Sequence, residues 1–189
     1  MCSSDLAGNR TESGKPLLAN DPHLGLGAPA IWYFARLQAP AAPGGKPVDV
    51  IGATLPGLPS VVLGRTAGVA WGFTNVGPDV QDLYLEQINP ANPAQYRTPD
   101  GWADFDRREE VLKVKGEPDQ KIVLRGTRHG PVLSDVQASH GLVLDTSRFV
   151  LALRWTALDA GNQTVLAGLQ SNTAQTVDEL LAAFANYHS

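Results

Sequence analysis

Asp21, Pro22 and His23 stand together at the end of an apolar run, and theirs are the first side chains in the sequence that suit acid–base or metal chemistry. A histidine beside a carboxylate serves as a metal-ligand pair, as a general base or as a structurally satisfied side chain, and the residues alone leave all three open. No second histidine lies three to five residues from it, so a zinc hydrolase is poorly supported. His129, between Arg128 and Gly130, has the same ambiguity, with a turn residue as the plainer reading; His140 and His188 read as surface residues. Asp79, Gln81 and Asp82 form a second constellation, DVQD. Two carboxylates with a backbone carbonyl between them suit a hard, oxygen-seeking cation such as calcium, and a solvated acidic turn is the alternative. Calcium takes roughly 6–8 oxygens, so these groups supply only part of a shell. Gly72 to Gly77 (GFTNVG) is the third: a strand end flanked by glycines can aim a backbone N–H at a developing oxyanion, though such segments are more often plain turns.

These residues need strands to hold them. Lys15 to Asn20 reads as a short buried strand, entered from the turn Ser13-Gly14 and ended by Pro22, which lacks the amide hydrogen of a central ladder. Ile31 to Leu37 is aromatic and β-prone, and a Pro, Ala and Gly loop over 39 to 46 follows it. Val48 to Leu55 is a strand candidate, Pro56 to Gly64 a turn leading into another, and Gly64 to Gly68 a tight connection from which Val69 to Phe73 returns as a strand. Gln81 to Gln87 alternates polar and apolar residues, the period of a half-buried strand. Asn89 to Asp106 predicts a loop and hairpin region around Pro99-Asp100-Gly101. Glu110 to Lys115 and Lys121 to Arg125 predict a hairpin, Arg128 to Val132 a loop entering a strand, and Phe149 to Trp155 a buried strand. Thr176 to Tyr187 is the one predicted helix, with Thr176 and Glu179 as a capping box and Val177, Leu180, Leu181 and Phe184 on one face.

The 189 residues, 43% of them hydrophobic, are enough for a sizeable core and fit one domain better than two. Fifteen dispersed Lys and Arg against nineteen Asp and Glu leave no electrostatic footprint for nucleic acid. No apolar run approaches the roughly 18 residues that would span a membrane, and no charged-then-apolar signal segment opens the sequence. The single cysteine, Cys2, excludes an internal disulfide framework.

Five blocks in order, GNRTESGKPLLANDPHL at 8 to 24, PGLPSVVLGRTAGVAWGFTN at 56 to 75, DVQDLYLE at 79 to 86, RHGPVLSD at 128 to 135 and LRWTALD at 153 to 159, resemble the penicillin acylase family. These are amidohydrolases with an N-terminal serine nucleophile. The resemblance implies an α+β fold of the N-terminal nucleophile hydrolase type, with stacked antiparallel sheets between helical layers, of which this chain is the start of the larger, β subunit. It implies a precursor cut to expose a serine, whose hydroxyl attacks an acyl amide while its own α-amine acts as base. By the same resemblance His23 supports and orients the nucleophile, and Asn75 gives its backbone N–H to the oxyanion hole. Asp79, Asp82 and the carbonyl of Gln81 bind a structural calcium, and Leu24, Leu63, Phe73 and Trp155 help line the acyl pocket. No organic cofactor is implied. The implied partners are a small (α) subunit, the remainder of the β subunit and a small N-acyl amide substrate, in a periplasmic or secreted location.

The family's serine should fall at position 1, with a small polar pair and a tryptophan after it; the sequence has Met1, Cys2, Ser3, Ser4, Asp5 and Leu6. Ser3, Ser4 and Cys2 are all out of register. Residues 1–6 are therefore expected to be a non-native leader, with 7–189 a partial acylase β-subunit domain. The expected function is that of an amide hydrolase acting on β-lactam or acyl-homoserine lactone compounds, whose nucleophile this chain lacks. A β-rich, calcium-stabilised binding module without catalysis is the alternative.

Overall fold

The computed structural model describes residues 2–188. All of its strand pairings are antiparallel, and with two helices they give the α+β class expected. The chain divides into two compact units, one made of residues up to Pro78 together with those from Gly161, the other of Asp79–Ala160.

The first unit opens with a ribbon of β1 (Cys2–Leu6) and β2 (Leu17–Asp21). The sequence predicted β2 as buried, but Leu17 and Leu18 are exposed, because a two-stranded ribbon has no further layer to cover its faces. A four-stranded sheet follows in the order β3 (Tyr33–Ala39), β4 (Val48–Thr54), β5 (Leu63–Arg65) and β6 (Ala70–Trp71). Its neighbours in space are its neighbours in sequence, as the short connections imply. Val50, Val61, Val69 and Trp71 form a core covered by Leu180 of the last helix and by Ala174 in the connection before it.

The C-terminal helices are α1 (Thr164–Ser171) and α2 (Val177–Phe184). Thr176 Oγ1 accepts the N–H of Glu179, while Glu179 Oε2 accepts the N–H of Gln175 at 2.8 Å, a capping box reaching one residue further out than its usual form. Helix α1 was not foreseen: Gly168 sits in its middle and Gln163, directly before it, makes no side-chain cap, although Asn162 Oδ1 accepts the N–H of Thr164 at 2.9 Å. It is held further by tertiary bonds. Asn172, directly after it, accepts the N–H of Val61 at 2.7 Å and donates to the same residue's carbonyl at 2.9 Å. Thr66 donates to the carbonyl of Ala174 at 2.7 Å, and Lys46 reaches Glu179 at 2.6 Å. Gly52 and Gly64 are partners in register, and a Cβ on either would come within 2.8 Å of Val61 Cγ1. Two glycines therefore leave the space in which Val61 lies against the sheet.

The second unit holds β7 (Gln81–Gln87), β8 (Gln95–Thr98), β9 (Gly101–Asp104), β10 (Asp106–Leu112), β11 (Gln120–Thr127), β12 (Gly130–Pro131) and β13 (Phe149–Trp155). The pairs β8–β9 and β10–β11 are the hairpins predicted around Pro99-Asp100-Gly101 and Gly116 to Gln120. Strand β7 pairs with β13 along its full length, and Val132 bridges to Ala152. The unit's core is Ile88, Tyr96, Phe105, Val132 and Val150. No helix among the described residues is long and apolar enough to cross a membrane.

Candidate active site

The end of β2 turns sharply. Asp21 Oδ1 accepts the backbone N–H of His23 at 3.2 Å, which closes an Asx turn over Pro22. His23 has φ +52°, the one non-glycine residue in the left-handed region among the described residues. Such a conformation strains a residue with a Cβ, and the Asp21 bond offsets part of that strain. The imidazole Nε2 lies 3.4 Å from Asp21 Oδ2, with both side chains more than half exposed, so the contact orients the ring and adds little stability. Proline and aspartate thus fix the turn that carries the histidine just past the end of the strand.

Leu24, next along, enters a concave pocket of about 270 Å³. Leu63 and Phe73 line the same pocket, as do Thr74 and Asn75, so the end of β2, the start of β5 and the segment after β6 converge. Their convergence depends on close approach: a Cβ on Gly72 would lie 2.8 Å from Cβ of Asn20. Asn75 Oδ1 accepts the N–H of Gly77 at 2.8 Å, and among the described residues the backbone N–H of Asn75 has no partner. The pocket wall also includes Pro22, Trp32, Val62 and Tyr187, none of which the sequence marked for this role. Trp32 carries a buried indole N–H with no partner among the described residues. Its aromatic, β-prone surroundings were legible in the sequence, but its place in the pocket was not.

The other predicted site residues belong to the second unit. Trp155 is opposite Gln81 in the β7–β13 register, and Asp82 is opposite Arg154. Arg154 forms a two-pronged pair with Asp159, with the second bond at 3.1 Å. Asp79 precedes β7 and is exposed, as is Asp82. Their donors are oxygens, which fits calcium in kind, but among the described residues no group of three or more acidic, histidine or cysteine side chains is placed to hold a metal. They offer part of a coordination shell.

His129 is more than the turn residue it resembled. Its Nδ1 lies 2.6 Å from Glu86 Oε1, and its ring stacks on Tyr84 with centroids 3.7 Å apart. Glu86 is only 5% exposed, so this histidine is the partner of a buried carboxylate. Tyr84 and Glu86 share one face of β7 by its twofold alternation, the signal that would have marked them.

The chain belongs to the penicillin amidase family, whose sequence profile matches residues 5–189. It is 33% identical over 183 residues to the acyl-homoserine lactone acylase QuiP of Pseudomonas aeruginosa, covering 94% of this chain and 21% of that protein. It is 28% identical over 131 residues to penicillin G acylase of Escherichia coli, covering 69% of this chain and 15% of that protein. In structure it is similar to the thermostable penicillin G acylase of Alcaligenes faecalis, with a TM-score of 0.71 and 27% identity over 96% of this chain and 30% of that one. The chain therefore spans about a fifth of the length of the curated relatives it matches.

Proposed function

We propose that this chain is the portion of an amide hydrolase that builds the acyl-binding wall, one oxyanion donor and the histidine beside the nucleophile. The observation that carries this reading is the convergence of Leu24, Leu63, Phe73 and Asn75 on one pocket, with His23 held in its strained turn next to Leu24. An apolar wall with one free N–H at its edge suits an acyl group whose carbonyl oxygen gains charge during reaction.

In the proposed reaction an N-terminal serine outside the pattern of residues 1–6 attacks the acyl carbonyl. Its α-amine takes the hydroxyl proton, which is feasible because such amines titrate at about 7.7–8.0. The Asn75 N–H donates to the tetrahedral oxyanion. The proton then passes to the leaving nitrogen, the amine departs, and water cleaves the acyl-serine to release the acid. His23 orients the nucleophile. Asp79, Asp82 and the carbonyl of Gln81 contribute to a structural calcium site, and Trp155 to the acyl pocket. The substrate is an N-acyl compound, either a β-lactam or an acyl-homoserine lactone. A small subunit and the rest of the large one complete the enzyme, as a processed precursor in the periplasm or outside the cell.

The test is to recover the full-length gene, purify its product and assay it against a panel of N-acyl substrates, with the serine intact and changed to alanine. Hydrolysis that disappears with the alanine change supports the proposal and identifies the substrate class. A product that neither processes itself nor hydrolyses any member of the panel would overturn it.

A further inference from the structure

A second pocket, of about 240 Å³, adjoins the first and is walled wholly by residues 21–32. Its walls run from Asp21 and Pro22 through Gly25 and Gly27 to Ile31 and Trp32. Pro22, Leu24 and Trp32 also wall the acyl pocket, so the two share a partition. His23 stands between two of those residues in sequence, and the amide it serves in the reading above falls where the pockets meet. An N-acyl amide has two halves. With the acyl half against Leu63 and Phe73, the amine half has this second pocket to enter.

The polar groups of the second pocket set what that half can be. Asp21 is the one charged side chain in either wall among the described residues. Its Oδ1 accepts the His23 N–H, its Oδ2 stands 3.4 Å from the imidazole, and the side chain is 65% exposed. No lysine or arginine among the described residues lines either pocket to balance a second carboxylate. In the partition, the buried indole N–H of Trp32 has no acceptor among the described residues. Burying a donor without an acceptor is unfavourable, and a ligand oxygen that meets it removes the penalty.

We infer that residues 21–32 form the amine-side site of the enzyme, which takes an uncharged ring whose carbonyl oxygen accepts the Trp32 N–H and rejects an amine half bearing a carboxylate, which Asp21 repels. This rests on the acylase reading above and deepens it. Of the two substrate classes in that reading, a homoserine lactone is neutral and carries such a carbonyl, whereas a β-lactam nucleus carries a carboxylate. Repulsion between exposed like charges is worth about two- to fivefold, and a hydrogen bond to a buried donor about three- to tenfold.

The experiment measures kcat/KM of the full-length enzyme on amides that share an octanoyl group: the homoserine lactone, the ring-opened homoserine acid, its methyl ester, the cyclopentylamide and the methylamide. The unaltered enzyme is expected to favour the ester over the acid and the lactone over the cyclopentylamide. Asp21→Asn keeps an oxygen for the His23 N–H and removes the charge, so it should lower the ester-to-acid ratio about two- to fivefold. Any change it makes at His23 cancels in that ratio. Trp32→Phe keeps an aromatic partition without the N–H and should lower the lactone-to-cyclopentylamide ratio about three- to tenfold. Gly27→Leu, where a Cβ would meet the Pro29 carbonyl oxygen at 3.8 Å, narrows the pocket and serves where Trp32→Phe fails to fold; it should slow the lactone more than the methylamide. Equal rates on acid and ester, ratios unchanged in the variants, or equal losses on every amide overturn the amine-side site and leave the acylase reading standing. An unaltered enzyme that hydrolyses none of these amides overturns the acylase reading itself, and the site with it.

Discussion

Asn172→Ala isolates the bond that holds the pocket wall. Asn172 is 3% exposed and its amide pairs both backbone groups of Val61, which is itself 1% exposed. Truncation leaves a buried donor and a buried acceptor without partners. Each such group costs about 1–3 kcal/mol, so the pair costs about 2–6 kcal/mol, at the low end where water enters the vacated space. Even about 2 kcal/mol is a roughly 30-fold change in an opening equilibrium. The assay is hydrogen exchange read by mass spectrometry in the full-length protein, comparing peptides over 56–64 with peptides from the β10–β11 hairpin. The expected result is at least 30-fold faster exchange over 56–64 with the hairpin unchanged. Unchanged exchange at 56–64 would refute the claim that this side chain secures the wall, and equal acceleration in the hairpin would refute its local character.

His129→Phe keeps a ring against Tyr84 but strips Glu86 of its partner, and should destabilise the second unit by about 3 kcal/mol, the low end for a buried pair because the histidine is partly exposed. Adding Glu86→Leu should recover most of that loss in urea unfolding, and no recovery would argue against the pair. The Lys46 ammonium and the Gln175 N–H hold the Glu179 carboxyl below its ordinary range, so their stabilisation is complete above about pH 4.5 and fades as pH falls through the lower folded value. Amide protection in α2 should decline on that acid side, and Glu179→Gln should flatten the dependence. Thr176→Ala removes the acceptor for the Glu179 N–H and should cost about 1 kcal/mol of α2 stability, measured by the same exchange.

The bounds of two strands were legible, Gln81–Gln87 from its alternation and Phe149–Trp155 from its apolar run, but burial in the first does not follow its pattern: Leu83 and Leu85 are exposed and Glu86 is buried. Helix α2 was legible from its capping pair. Helix α1 was not, because what stabilises it is Asn172 bonded to Val61, a contact between residues 111 apart in sequence. The exposure of β2 was hidden for a similar reason: an apolar run says that a strand forms, and its cover is decided by layers elsewhere. At the site, Leu24, Leu63, Phe73 and Asn75 came from resemblance, and the structure places all four on one pocket. Tyr187 escaped notice because it follows the last helical turn, where periodicity carries no information about which cavity a ring will border. His23 was picked out by its neighbours Asp21 and Pro22, yet its left-handed backbone follows from the Asx turn they close, which only coordinates reveal.

The first unit is assembled from two separated stretches, with Asp79–Ala160 between them. A ribosome therefore releases the sheet bearing Val50, Val61 and Trp71 roughly a hundred residues before the helix that covers it, an interval of about 5–20 s at ordinary rates of synthesis. The intervening unit is complete in sequence by then and can close on its own hairpins. A nascent chain ending at Gly161, tethered through a linker long enough to bring β13 clear of the ribosome, should protect amides in the later-made unit and leave the earlier one open to protease. The order of birth is thus the reverse of the order of closure, and the newborn sheet waits with Val50, Val61 and Trp71 uncovered until its own lid is translated.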